Sequence, residues 1–126
     1  MINIPKNLHK KMYDYETFYH LSMTEDRLGK FLAHYEAFKL ASKIPGEIVE
    51  CGVFKGTSFV RFALFRELFG GKKSSRLIAF DVFSNKYPNT KFKEDIVQRK
   101  HWIKTAGSSS ISTSQLKKNL KEKKNW

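Results

Sequence analysis

The feature that most constrains the fold is a short β-branched stretch that runs into a glycine-bounded turn and then into an apolar helix. Glu47-Ile48-Val49-Glu50-Cys51 reads as a buried strand, Gly52 to Gly56 as a tight connection, and Thr57 to about Phe69 as a helix stopped by Gly70-Gly71. Phe59, Phe62, Ala63 and Phe69 recur on one face of that helix, and Leu64, Phe65 and Leu68 widen the apolar surface. A helix apolar around so much of its circumference is expected to flank a sheet. Arg76 to Phe83 reads as a second strand. Strand, glycine turn, helix, strand is a βαβ unit, which implies parallel strands and an α/β fold.

The segments on either side add helices. Residues 1–22 form an aromatic, polar segment with no clear period, set apart from the domain expected over 23–126. Ser22-Met23-Thr24-Glu25 has capping-box spacing, and Leu28, Phe31, Leu32, Tyr35, Phe38 and Ser42 follow at three- and four-residue steps, an amphipathic helix that ends before Pro45-Gly46. Beyond the second strand, Ser84 to Thr90 reads as a loop. Phe92, Ile96 and Ile103 suggest a short helix, Gly107 to Ser110 a polar linker, and Thr113 to Lys123 a last helix with only Leu116 and Leu120 to bury. Hydrophobic residues at 40%, with 11 Phe, suffice for a core and argue against general disorder. Two strands do not make a stable doubly wound sheet, so the chain is expected to be an incomplete domain or to have the rest supplied by a partner.

A glycine-rich turn between a strand and a helix suits a negatively charged or carboxylated ligand. Glycine lets the backbone approach closely, and the helix start presents unsatisfied N–H groups. The triphosphate loop needs a lysine directly after its second glycine, but here Lys55 precedes Gly56 and Thr57 follows it. The dinucleotide fingerprint needs a glycine where Phe54 stands. Both patterns fail. What remains is an acid, Glu50, ahead of Gly52 and Gly56, with a second acid, Asp81, closing the next strand 29 residues after Gly52.

That arrangement resembles the first motif of class I S-adenosylmethionine-dependent methyltransferases. Met23-Thr24 with Arg27-Leu28, the string from Ile44-Pro45-Gly46 through Val49-Glu50-Cys51-Gly52-Val53-Phe54-Lys55-Gly56, and Phe80-Asp81-Val82-Phe83 together look like the macrocin O-methyltransferase (TylF-type) family. The likeness runs over roughly residues 20–120. Two positions depart from it: the family usually carries tryptophan at the place of Phe54 and a second glycine at the place of Thr57. The resemblance implies the N-terminal part of a Rossmann-like methyltransferase fold, a helix and then βαβ. It also implies that Glu50, Gly52, Gly56, Thr57, Ser58 and Asp81 line the S-adenosylmethionine site, with Thr24 reaching it from the preceding helix. An acid such as Asp81 would accept hydrogen bonds from the ribose hydroxyls. The implied reaction is methyl transfer to a hydroxyl of a sugar or sugar-containing acceptor. The family's divalent metal, magnesium being the one expected, is held by acids that no residue here matches, so no catalytic or metal-binding residue is assigned within these 126 residues.

The net charge of +12 offers a competing reading. From Arg99 onward eight basic residues face one acid, Glu122, so this stretch carries +7. Such a stretch can bind nucleic acid, although a solvated helix face is the commoner outcome and only Trp102 and Trp126 are available there for base stacking. A remnant of the fold that binds no cofactor is the third reading. Cys51 reads as a small buried apolar residue, and the lone cysteine fits a reducing cytoplasm. His9, His20, His34 and His101 show no metal spacing. Tyr13, Tyr15, Phe18 and Tyr19 suit a lid or a homo-oligomer contact, with core packing the simpler expectation. No apolar run approaches the ~18 residues that a membrane span needs.

Overall fold

A computed structural model describes residues 11–70, 76–84 and 90–123. His9, the link at 72–75, most of the 84–90 loop and Trp126 lie outside them. Among the described residues the order is α1 (Met12–Ser22), α2 (Glu25–Ala41), β1 (Ile48–Cys51), α3 (Thr57–Phe65) continued by a π-helical turn (Arg66–Gly70), β2 (Leu77–Phe80), α4 (Lys93–Ala106) and α5 (Thr113–Lys123). The chain is α/β, and no helix among the described residues is long and apolar enough to cross a membrane.

The two strands pair in parallel, Ile48 with Leu77 through Cys51 with Phe80, as the βαβ reading expects. The ladder closes with the Gly52 N–H donating to the Phe80 carbonyl at 2.8 Å. Both strands are shorter than expected, and the second ends at Phe80 because Asp81 already lies in a bend. One face carries Ile48, Glu50, Leu77 and Ala79. Leu77 and Ala79 pack there against the core of Val53, Phe59, Ile111 and Leu116, supplied by the glycine turn, α3 and the α5 entry. The other face carries Val49, Cys51, Ile78 and Phe80, and Val49 and Phe80 are more than half exposed. The expected buried strand is therefore corrected: β1 alternates between half-buried and exposed, since described residues cover only one face. Cys51, expected to be buried, is exposed for the same reason.

A second apolar contact joins α2 to α3. Phe38 is buried, and Phe65 takes ring contacts from Phe31, Tyr35, Phe38, Phe62 and Phe69 at centroid distances of 5.6–6.4 Å. The stripe on α2 thus works through Phe31, Tyr35 and Phe38, while Leu28 and Leu32 face solvent. His34 stacks on Phe62 at 5.1 Å, and Arg61 donates to its Nδ1 at 3.1 Å. The capping box does not form. Thr24 is the extended N-cap residue of α2 without a side-chain cap, and the Ser22 hydroxyl turns back to the Tyr19 carbonyl at the end of α1. Residues 12–22, which lack an apolar period, are helical but bury nothing, so core packing of Tyr13 and Phe18 is corrected to exposure of 75% and 71%. A helix without an apolar stripe has no face to dock.

Candidate functional site

The glycine turn is built by left-handed backbone. Gly52 has φ +87 and Gly56 φ +83, conformations that L side chains rarely adopt. The two glycines have different surroundings. A Cβ on Gly52 would meet nothing within 4 Å, whereas one on Gly56 would lie 3.2 Å from Leu116 Cδ1 and 3.4 Å from Ile111 Cδ1. Gly52 faces open space, and Gly56 is pressed against the core.

Between them, Phe54 also takes a positive φ, +51. Its N–H donates to Asp81 Oδ2 at 2.7 Å, and its carbonyl accepts from the Ile111 N–H at 2.6 Å and the Ser110 hydroxyl at 3.0 Å. Lys55 reaches back to the Ser109 hydroxyl at 3.1 Å. The segment expected to be a polar linker therefore also anchors the turn from behind, and Ser110 is buried.

Gly52, Phe54, Asp81 and Val82 form one wall of an open cleft of about 730 Å³ at the C-terminal ends of the strands. Thr90 and residues of α4, including Asp95, Gln98, Arg99, His101 and Trp102, form the other. Trp102 meets the Phe54 ring edge-on at 5.2 Å. Ligands in open α/β sheets bind at this end of the strands, and the volume falls within the usual range for small-molecule sites. The α4 wall has no signal in the sequence beyond a weak amphipathic period, and only the chain path places it over the turn.

Of the residues the resemblance implies, Gly52 and Asp81 line this cleft. Glu50 and Ser58 pair with each other behind the turn, the Ser58 hydroxyl donating to Glu50 Oε1 at 2.5 Å. Thr57 is the exposed first residue of α3 and Gly56 its N-cap. Thr24 stands at the start of α2 and is not part of the cleft lining.

The two acids are shifted in opposite directions. Burial pushes the Glu50 carboxyl up, against the Ser58 hydrogen bond and the Lys30 charge, and nearby Asp81 adds to the rise. Glu50 Oε2 is buried with no hydrogen-bond partner among the described residues. Burial pushes Asp81 up as well, but donors from the Phe54, Phe83 and Val82 backbone and from Ser110 outweigh it and hold its carboxyl below the usual value. Among the described residues, no three His, Cys, Asp or Glu side chains group as metal ligands.

Two features of the cleft bear on a nucleoside cofactor. No side chain lines the cleft at Gly52, where a Cβ would meet nothing within 4 Å, and Asp81 presents there a carboxyl that already accepts from the Phe54 and Phe83 N–H groups. In comparison with known proteins, the chain matches no family model, no curated protein and no solved structure, so the macrocin O-methyltransferase resemblance rests on its quoted residues alone.

Proposed function

We propose that this chain carries the S-adenosylmethionine seat of a Rossmann-like O-methyltransferase acting on a hydroxyl of a sugar or sugar-containing small molecule. The observation that carries the reading is the juxtaposition of Gly52, open above its backbone, with Asp81 in one cleft at the ends of two parallel strands. When bound, S-adenosylmethionine would supply a methyl group for in-line transfer from its sulfonium sulfur to an acceptor oxygen, leaving S-adenosylhomocysteine. The chain's own residues seat and orient it. Gly52 would admit the methionine part beside the turn and Asp81 would accept from ribose hydroxyls, while the Phe54 and Trp102 rings meet edge-on between the two walls of the cleft. Removal of the acceptor's proton, and the divalent metal that the resembled family uses for it, are assigned to none of the described residues.

Isothermal calorimetry of the full chain with S-adenosylhomocysteine tests the proposal. Saturable binding that is lost in Gly52→Val supports it, because a branched side chain there would crowd the cleft wall. No binding by the wild type, together with salt-sensitive binding of a polyuridylate, would give the basic-module reading instead. That alternative draws on the exposed Lys117, Lys118 and Lys121 of α5.

A further inference from the structure

We propose that Asp81 is a positioning residue, whose carboxylate holds the floor of the cleft in shape through the backbone of Phe54 and Phe83. Both of its oxygens are engaged by main-chain donors: Oδ2 by the Phe54 N–H at 2.7 Å and Oδ1 by the Phe83 N–H at 3.4 Å. Those donors belong to the only non-glycine residues among the described ones with positive φ, +51 at Phe54 and +47 at Phe83. Left-handed backbone is uncommon for a bulky residue and persists where its surroundings over-determine it.

The two phenylalanines stand just after the two strands, so one carboxylate ties the turn that follows β1 to the turn that follows β2. The far side is tied as well. Ser110 and Ile111 grip the Phe54 carbonyl, and the Ser110 N–H donates to the Ser84 carbonyl at 3.1 Å. Setting the Phe54 backbone also sets its ring, which meets Trp102 on the opposite wall and carries Lys55 Nζ 4.8 Å over its face.

An ionised carboxylate suits this task because it is acceptor-only. An asparagine in its place would present an NH₂ to one of the two N–H groups. The inference does not rest on the methyltransferase reading, since the brace exists without any ligand.

The test is amide hydrogen exchange by NMR on the full chain without cofactor. In Asp81→Asn the Phe54 and Phe83 amides are expected to exchange about ten-fold faster or more, the loss of a hydrogen bond to a charged group, while Ala63 within α3 keeps its rate. In the wild type, the Phe54 amide proton is expected to shift as Asp81 protonates, below its ordinary value of 3.8. Lys55 over the Phe54 ring, Glu50 on β1 and Asp95, Arg99 and His101 on the cleft wall are other charged or titratable groups nearby. The same step in Glu50→Gln and Asp95→Asn assigns it to Asp81. Unchanged exchange rates at both the Phe54 and the Phe83 amides in Asp81→Asn overturn the proposal. Should that variant lose protection everywhere, the wild-type titration decides, and a Phe54 amide blind to the acid step overturns it. Neither readout involves the cofactor, so this proposal and the cofactor reading fail separately.

Discussion

Gly52 and Gly56 share a left-handed backbone, but only Gly52 has open space where a side chain would go. Gly52→Ala is expected to cost about 1 kcal/mol of stability, the strain of a Cβ at positive φ. Gly56→Ala adds a contact with Leu116 and Ile111 and is expected to cost about 2 kcal/mol or more; urea denaturation of both variants checks the order. The sequence shows both glycines but not this difference, because the atoms behind Gly56 come from residues 55 and 60 positions later. The two acids differ in the sign of their pH dependence. Glu50 is raised above its ordinary 4.5, so the folded state binds its proton more tightly. Its contribution to stability is present below that value and is lost as pH rises through the folded one. Asp81 is lowered below 3.8, so its contribution is present above that value and is lost as pH falls through the folded one. Urea midpoints across the acid range are expected to show it: Glu50→Gln removes a decline with rising pH, and Asp81→Asn removes a decline with falling pH.

At the scale of elements, the α2–α3 contact holds the aromatic residues that the stripe on α2 and the apolar α3 announce. Phe65→Ala is expected to cost about 3–5 kcal/mol, as emptying an aromatic site does, whereas Phe18→Ala on the exposed α1 is expected to stay within about 0.5 kcal/mol; urea denaturation separates them. The same contact is acid-sensitive. Burial, then the charges of Arg61 and Lys30, hold His34 below its ordinary 6.5. It therefore stabilises the contact while neutral, and that contribution is lost as pH falls from 6.5 through the folded value, when a second cation would face Arg61. Near-ultraviolet circular dichroism should show an aromatic change over that range in the wild type and none in His34→Gln. Elements were legible where a period existed: α2, α3 and α5 follow their apolar spacing. α1 was not, since Tyr13, Tyr15, Phe18 and Tyr19 follow no helical stripe and its helix buries nothing.

For the whole molecule, the parallel pair β1–β2 was legible because strand, glycine turn and helix occur in immediate succession. The cleft was half legible. Gly52 and Asp81 carry a local signal, while α4 reaches the site only through a chain path that no spacing encodes. The charge of +12 acts on the molecule as a whole, and self-repulsion destabilises a compact state. Raising salt from about 10 mM to about 0.5 M, which shortens the screening length to a few ångströms, is expected to raise the Tm in a thermal scan. What enters the cleft is measured most directly by titrating the isotope-labelled full chain with S-adenosylhomocysteine, followed by NMR. The expected result is saturable shifts at Gly52, Phe54, Asp81 and the Trp102 indole, with Lys117, Lys118 and Lys121 of α5 unmoved. Shifts confined to α5, or none at all, would contradict it.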